Sequence, residues 1–301
     1  MNVQRILCPI DFSDPSTHAL EQATSLARVY GARLTVLHVR PTVTPHPDLS
    51  PEGPVAPWLV AELEELRQRV AAACREATAA GVDVEPLATA GLPAAEILRC
   101  AAALPADLVV MGTHGTSGIQ HFVLGSVAEK VLRAASCPVL TVPPRAHAAS
   151  PPFTRIVCAV DFSDCSLKAA TVAASLAKET GATLSLLHVV EWPWHESETP
   201  EVAGVPPVQA QAITDYRRYL ESGALERLDA VAASALPTGT VVTSVRFGRP
   251  YVELLDLARR EQADLVVLGV RGRGALDLGF FGSTANHVVR SADCPVLTIR
   301  S

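Results

Sequence analysis

A stretch of 36 residues occurs twice in this 301-residue chain, and few folds accommodate both copies. Asp107 to Val142 reads DLVVMGTHGTSGIQHFVLGSVAEKVLRAASCPVLTV, and Asp264 to Ile299 reads DLVVLGVRGRGALDLGFFGSTANHVVRSADCPVLTI. Each copy opens with a short apolar run that ends at a glycine. The run is too short for a helix and fits a parallel strand buried on both faces. Two glycines then bracket two residues, nine residues follow, and a third glycine stands immediately before Ser126 or Ser283. Apolar residues at helical spacing come next, as Val127, Val131 and Ala135 in the first copy, and a Cys-Pro-Val-Leu-Thr run closes the unit as another strand. A strand that feeds a glycine loop and then a helix suits phosphate. Amides at a helix start carry partial positive charge, and glycines let other backbone amides approach closely. Neither loop holds Gly-Lys-Ser/Thr, so neither is a Walker-type loop.

The repeat extends towards the N-terminus of each half. Ile156 to Asp161 matches Ile6 to Asp11, both are followed by Phe-Ser-Asp, and Leu186 to Val189 matches Val36 to Val39, all at an offset of 150 residues. At the glycine loops the offset is 157, so the second half carries seven extra residues, expected around Glu191 to Pro207 because loops absorb insertions easily. Each half reads as five strands alternating with four helices, the pattern of a parallel sheet. In the first half, the strand Val3 to Ile10 precedes a helix with Asp14 as its expected capping acid and Pro15 at the first helical position, closed by Gly31. Leu34 to Val39 is the second strand, and Pro41 to Pro57 a long loop of the kind that often serves binding. Leu59, Leu63, Leu66, Val70, Ala73 and Ala77 line one face of a helix that stops at Gly81. A third strand from Val82 to Ala88 and a helix opening near Pro93 complete the half. Pro143 to Pro152 has no periodicity and is dense in Pro and Ala, so the domains are expected at 1–144 and 153–301 with residues 145–152 as linker. The two final strands, Pro138 to Val142 and Pro295 to Ile299, are apolar and are expected to pair across the halves rather than stand as open edges.

The glycine spacing, the Asp after the first strand and the Val ending the second together resemble the nucleotide-binding signature of the universal stress protein family, in tandem. The resemblance covers nearly the whole chain. It implies two repeated α/β domains, each an open five-stranded parallel sheet with helices on both faces, similar to the adenine nucleotide alpha hydrolases. It implies ATP, with Mg, as the bound cofactor in each half. In the first half it places the nucleoside against Pro9, Ile10, Asp11, Val39 and Met111, with ribose and phosphates held by Gly112, His114, Gly115, Gly125, Ser126 and Val127. In the second half the matching residues are Ala159, Val160, Asp161, Val189, Gly269, Arg271, Gly272, Gly282, Ser283 and Thr284. Ala159 in place of Pro9 is a mild departure. The placement agrees with the rule that ligands of open α/β sheets sit beyond the carboxyl ends of the strands, where strand order reverses.

Several of these residues have a plainer reading. Asp11 could cap the following helix, Ser126 with Glu129 spells a capping box, and the glycines could serve turns alone. His38 and His188 read as core or rim histidines, since no second His or Cys stands at metal-ligand spacing. Trp192 and Trp194 could line the second site or pack a loop. Seven cysteines form no CxxC and read as reduced structural thiols. A formal charge of -6 gives no footprint for nucleic acid or anionic membrane. No apolar run approaches a membrane span or a signal peptide, so the chain is expected in the cytoplasm. A sensor or regulatory module with little or no hydrolysis is the expected function, with an unidentified protein partner. The halves form an intramolecular pseudo-dimer, and a homodimer of chains is a further option. The alternatives are an ATP-dependent enzyme or slow ATPase of the same architecture, which would carry an SGGxDS loop or HIGH and KMSKS elements that are absent here, and a nucleotide-free interaction module. Arg271 in the place of His114 is expected to make the second site the tighter one near neutral pH.

Overall fold

The computed structural model describes residues 3–42, 57–113, 124–144, 152–191, 207–236, 239–271 and 281–300. The first half runs β1 (Arg5–Ile10), α1 (Asp14–Tyr30), β2 (Arg33–Pro41), α2 (Pro57–Ala73), α3 (Arg75–Ala79), β3 (Val84–Gly91), α4 (Pro93–Ala103), β4 (Leu108–Gly112), α5 (Ser126–Ala134) and β5 (Val139–Val142). The second runs β6 (Arg155–Ala159), α6 (Asp164–Thr180), β7 (Thr183–Val190), α7 (Pro207–Ala235), β8 (Val241–Phe247), α8 (Pro250–Arg260), β9 (Leu265–Gly269), α9 (Ser283–Ser291) and β10 (Val296–Ile299).

All ten strands form one sheet in the order β3-β2-β1-β4-β5-β10-β9-β6-β7-β8. Within each half every pairing is parallel. The halves meet where β5 and β10 pair antiparallel, Thr141 opposite Val296 and Val139 opposite Thr298. The expected pairing of the last strands is therefore observed. It is reinforced by two buried hydroxyls, Thr141 Oγ1 donating to the Val296 carbonyl at 3.2 Å and Thr298 Oγ1 to the Val139 carbonyl at 3.1 Å.

Alternation along the strands builds two cores, because successive side chains leave a sheet on opposite faces. Ile6, Cys8 and Ile10 face α1, α2, α6 and α7, while Leu7 faces α4, α5, α8 and α9. Both cores draw residues from both halves. All seven cysteines are free thiols, and six of them are buried. Among the described residues no helix is long and apolar enough to cross a membrane.

The structure corrects three readings of the sequence. The cap of α1 is Ser13, whose Oγ accepts from the Ser16 amide at 3.4 Å, and Asp14 is already helical, which moves Pro15 to the second position. The amphipathic helix breaks at Cys74 into α2 and α3, with Cys74 rather than Ala73 facing the core. Six of the seven extra residues of the second half lie in a helix and none in the loop before it: α7 has 29 residues where the stretch from Pro57 to Ala79, Cys74 included, has 23, and the seventh falls in the turn before β8. The loop expected at Pro41 to Pro57 lies largely outside the described residues, as do Trp192 and Trp194 and the linker up to residue 151.

Candidate functional sites

In each half the strand order reverses between the first and fourth strands, β1 and β4 or β6 and β9. A cavity opens beyond their carboxyl ends, about 350 Å³ in the first half and 560 Å³ in the second. Both volumes fall in the range of small-ligand sites. The first is lined by every expected residue of its half that is described: Pro9, Ile10, Asp11, Val39, Met111, Gly112, Gly125, Ser126 and Val127. The second gathers Ala159, Val160, Asp161, Val189, Gly269, Arg271, Gly282, Ser283 and Thr284. His114, Gly115 and Gly272 lie outside the described residues.

The aspartate is held by the turn that follows its strand. Asp11 Oδ1 accepts from the Ser13 amide at 3.1 Å and from the Ser13 hydroxyl, and Asp161 Oδ1 accepts from the Ser163 amide at 3.0 Å and its hydroxyl. Neither Asp caps the helix, since Ser13 and Ser163 do. The carboxylate thus sits fixed at the cavity wall. Between Asp and Ser stands Phe12 or Phe162, each at a φ of 63°, a left-handed conformation that bulky residues avoid. The kink brings the phenyl ring against a histidine, with centroids 4.6 Å apart in both halves. On Phe12 the Arg69 guanidinium lies 4.6 Å from the ring centre, and on Phe162 that of Arg227 lies 3.9 Å away. His38 Nδ1 lies 2.9 Å from the Ile10 carbonyl and His188 Nδ1 lies 2.6 Å from that of Val160. A carbonyl only accepts, so Nδ1 carries the proton in both rings. These histidines are tied to the backbone, as expected, but they also line the cavities.

The helix starts differ from the expectation in a way that matters for anions. Gly125 and Gly282 are the caps, and Ser126 and Ser283 are the first helical residues. The Ser126 to Glu129 capping box is therefore not formed, and Glu129 instead accepts from Arg133 at 2.8 Å. The Gly125 amide donates to the Thr113 carbonyl at 2.9 Å and that of Gly282 to the Val270 carbonyl at 2.8 Å, so these two glycine amides are committed within the loop. The donors facing the cavity are the next three amides, Ser126 to Ala128 and Ser283 to Ala285. They have no intrahelical partner, and no side chain caps either helix. Gly269 has a packing reason of its own, since a Cβ there would lie 2.8 Å from the Cβ of Cys165 and 2.9 Å from its carbonyl carbon.

The cavities are not identical. The first is walled by Pro41 and Ile97 and the second by Glu191 and Arg271, while Pro93 and Pro250 hold matching places in the two. Sequence reasoning missed Phe12 and Phe162, although Asp-Phe-Ser-Asp in both halves was the available signal. It also missed the contribution of Ser16 and Ser166, whose hydroxyls accept from the Asp11 and Asp161 amides at 3.4 and 3.2 Å. Among the described residues no group of His, Cys, Asp and Glu could hold a metal ion directly.

The chain is similar over 98% of its length to a universal stress protein of Mycolicibacterium smegmatis, at 29% identity and covering 96% of that protein. A universal stress protein of Methanocaldococcus jannaschii is 37% identical over 142 residues, 46% of this chain and 81% of the relative. Among solved structures, a universal stress protein from Archaeoglobus fulgidus superposes with a TM-score of 0.69 at 23% identity, covering 100% of this chain and 99% of that one, a likeness of fold. The model of the universal stress protein family matches residues 2–143 and again 152–300. The chain therefore belongs to the universal stress protein family and carries two of its domains in tandem.

Proposed function

We propose that each half binds ATP with Mg, and that the chain acts in the cytoplasm as a sensor or regulatory module of the stress response, with little or no hydrolysis. The observation that carries this reading is the duplicated cavity: a turn-held carboxylate, an apolar strand end and an uncapped helix start meet at the same point of both halves. Val39 and Val189 offer the flat apolar wall an adenine needs. Asp11 and Asp161 can accept ribose hydroxyls, and the amides of Ser126 to Ala128 and Ser283 to Ala285 suit phosphates. Arg271 adds a permanent cation to the second cavity, which should make it the tighter of the two. Rapid hydrolysis requires a positioned nucleophile and cations at the terminal phosphate. Neither loop contains a lysine, and among the described residues no base stands out beside either helix start.

Calorimetric titration of nucleotide-free protein with ATP and Mg²⁺ should saturate near two equivalents. Ser126 and Ser283 are exposed first residues of their helices, where an acid favours the helix and repels phosphate. Ser126→Glu should therefore keep the thermal midpoint and abolish one equivalent, and Ser283→Glu the other. A doubly substituted chain that still takes up ATP like the parent would refute the reading.

A further inference from the structure

Helix α5 has its two ends in different functional surroundings. Its N-terminus forms the wall of the first cavity at Ser126 to Ala128. Its C-terminal carbonyls are held by a residue of the other half: Arg300 Nη1 donates to the Arg133 carbonyl at 2.5 Å and to that of Ala135 at 3.4 Å. Arg300 follows β10 directly. Ile299 pairs with Gly269 of β9, and the Val270 amide donates to the Ile299 carbonyl at 2.9 Å, so Arg300 stands at the strand ends beside Arg271 of the second cavity. Burial, and after it the positive charge of Arg271, hold the Arg300 guanidinium below its ordinary value. The antiparallel pairing of β5 with β10 produces this arrangement, because it sets the carboxyl ends of one half level with the amino ends of the other. The first half has no equivalent, since the position matching Arg300 is Pro143.

We infer that Arg300 is a positioning residue for the first cavity, supplied by the second half, and that through Arg271 it couples the occupancy of the two cavities. The inference rests on the nucleotide reading above. A cation at a helix C-terminus stabilises the helix dipole, and the same dipole presents positive charge to an anion at the other end. Arg300 also ties the end of α5 to a rigid strand. Arg271 opposes that tie by repelling its neighbour. A phosphate bound to Arg271 offsets the repulsion and lets Arg300 seat fully on α5, so a loaded second cavity tightens the first. Linkage makes the effect reciprocal. The direction is one of wiring: at the matching position the first half has Pro143, which has no side-chain donor to offer α9.

The test reads each cavity separately in one chain, by following backbone amide resonances of Ser126 to Ala128 and Ser283 to Ala285 while ATP and Mg²⁺ are added. Arg300→Gln should weaken the first cavity on the order of fivefold, the low end of typical coupling, and Arg300→Lys should recover part of the loss. A purely structural role would not make the first cavity depend on Arg271 of the second. Arg271→Gln, read at the first cavity in an Asp161→Ala chain whose second cavity is weakened, should tighten it about twofold, the size of a partly exposed charge interaction, and leave it unchanged when Arg300→Gln is added. Equal first-cavity affinity in the parent and in Arg300→Gln, or an Arg271→Gln effect that persists without Arg300, overturns the inference while two-site binding stands. If Arg300→Gln does not fold, the Arg300→Lys chain carries the same comparison, since an ammonium keeps the charge at the helix end without the planar guanidinium. If the amides of neither cavity respond to ATP, the nucleotide reading falls and this inference falls with it.

Discussion

Phe12 and Phe162 occupy a backbone conformation that costs a bulky residue about 1–2 kcal/mol, and they do so in both halves, one residue after the cavity aspartate. The cost is offset by what the kink achieves. It turns Asp11 back onto Ser13 and inserts the ring between His38 and Arg69. Substitution separates the two contributions. Phe12→Ala keeps the strained backbone and loses the ring, so it should destabilise by about 2–3 kcal/mol, somewhat less than a fully buried Phe. Phe12→Gly loses the same ring and sheds the strain, so it should be about 1 kcal/mol more stable than the alanine variant, the reverse of their usual order. Urea midpoints of the two variants check this. A glycine variant less stable than the alanine one would show that the kink is unstrained. The thiols give a second expectation at this scale. Burial pushes Cys158 and Cys294 from the ordinary 9.0 up to about 12. The folded chain keeps protons that the unfolded chain releases above pH 9, so stability is full below pH 9 and declines as pH rises towards 12. Urea midpoints at pH 7.5, 9 and 10.5 should fall in that order, and less steeply in a Cys158→Ala, Cys294→Ala chain.

Helix α7 is the clearest element-scale departure between the two halves, and its length makes a prediction. Deleting residues 216–222 removes seven residues, about two turns, and rotates the upstream half of the helix by only about 20° relative to the rest. Tyr216 and Tyr219 in this segment are 56% and 73% exposed, so the deletion sacrifices little core. It does cost the packing of Arg217 on Phe247, at 4.5 Å. The shortened chain should melt within a few degrees of the parent, whereas a five-residue deletion of 216–220 misdirects the inward face and should be strongly destabilised. Thermal melts of the two decide it. The same helix explains the limits of reading this fold from sequence. The alternation of elements and the β5–β10 pairing were legible because the glycines, aspartates and apolar runs recur at fixed spacing in both halves. The site of the insertion was not legible, since two added turns leave a helical pattern intact. The caps were missed by one residue for a related reason. Ser13 and Asp14 are both good capping residues, and only the turn geometry at Phe12 selects between them. That geometry runs against the preference of phenylalanine, so no propensity announces it. Nor could spacing alone show that the Gly125 and Gly282 amides are already bonded within their loops.

At the scale of the whole molecule the two domains share their cores. Ile10 and Cys158 belong to one buried cluster, Met111 and Leu268 to the other, and each cluster crosses the β5–β10 seam. A tandem repeat with separate cores would unfold in two steps. This one should unfold in a single step, because neither half can lose its final strand without exposing the apolar surface of the other. Differential scanning calorimetry should give one transition whose van't Hoff and calorimetric enthalpies agree. Leu297, 3% exposed, lies at the seam opposite Leu140, and Leu297→Asp would bury an unpaired carboxylate there, which costs several kcal/mol. That single change in the second half should raise amide hydrogen exchange in β1 and β4 of the first half as well as in β6 and β9. The ligand provides the complementary arm. ATP added to the Ser283→Glu chain, in which the first cavity alone is expected to bind, should slow exchange in β9 of the unliganded half by the same free energy as in β4, since binding to the native state stabilises every part of one cooperative unit equally. Two resolved transitions in the parent, or protection by ATP confined to the first half, would show instead that the seam joins two domains that fold independently.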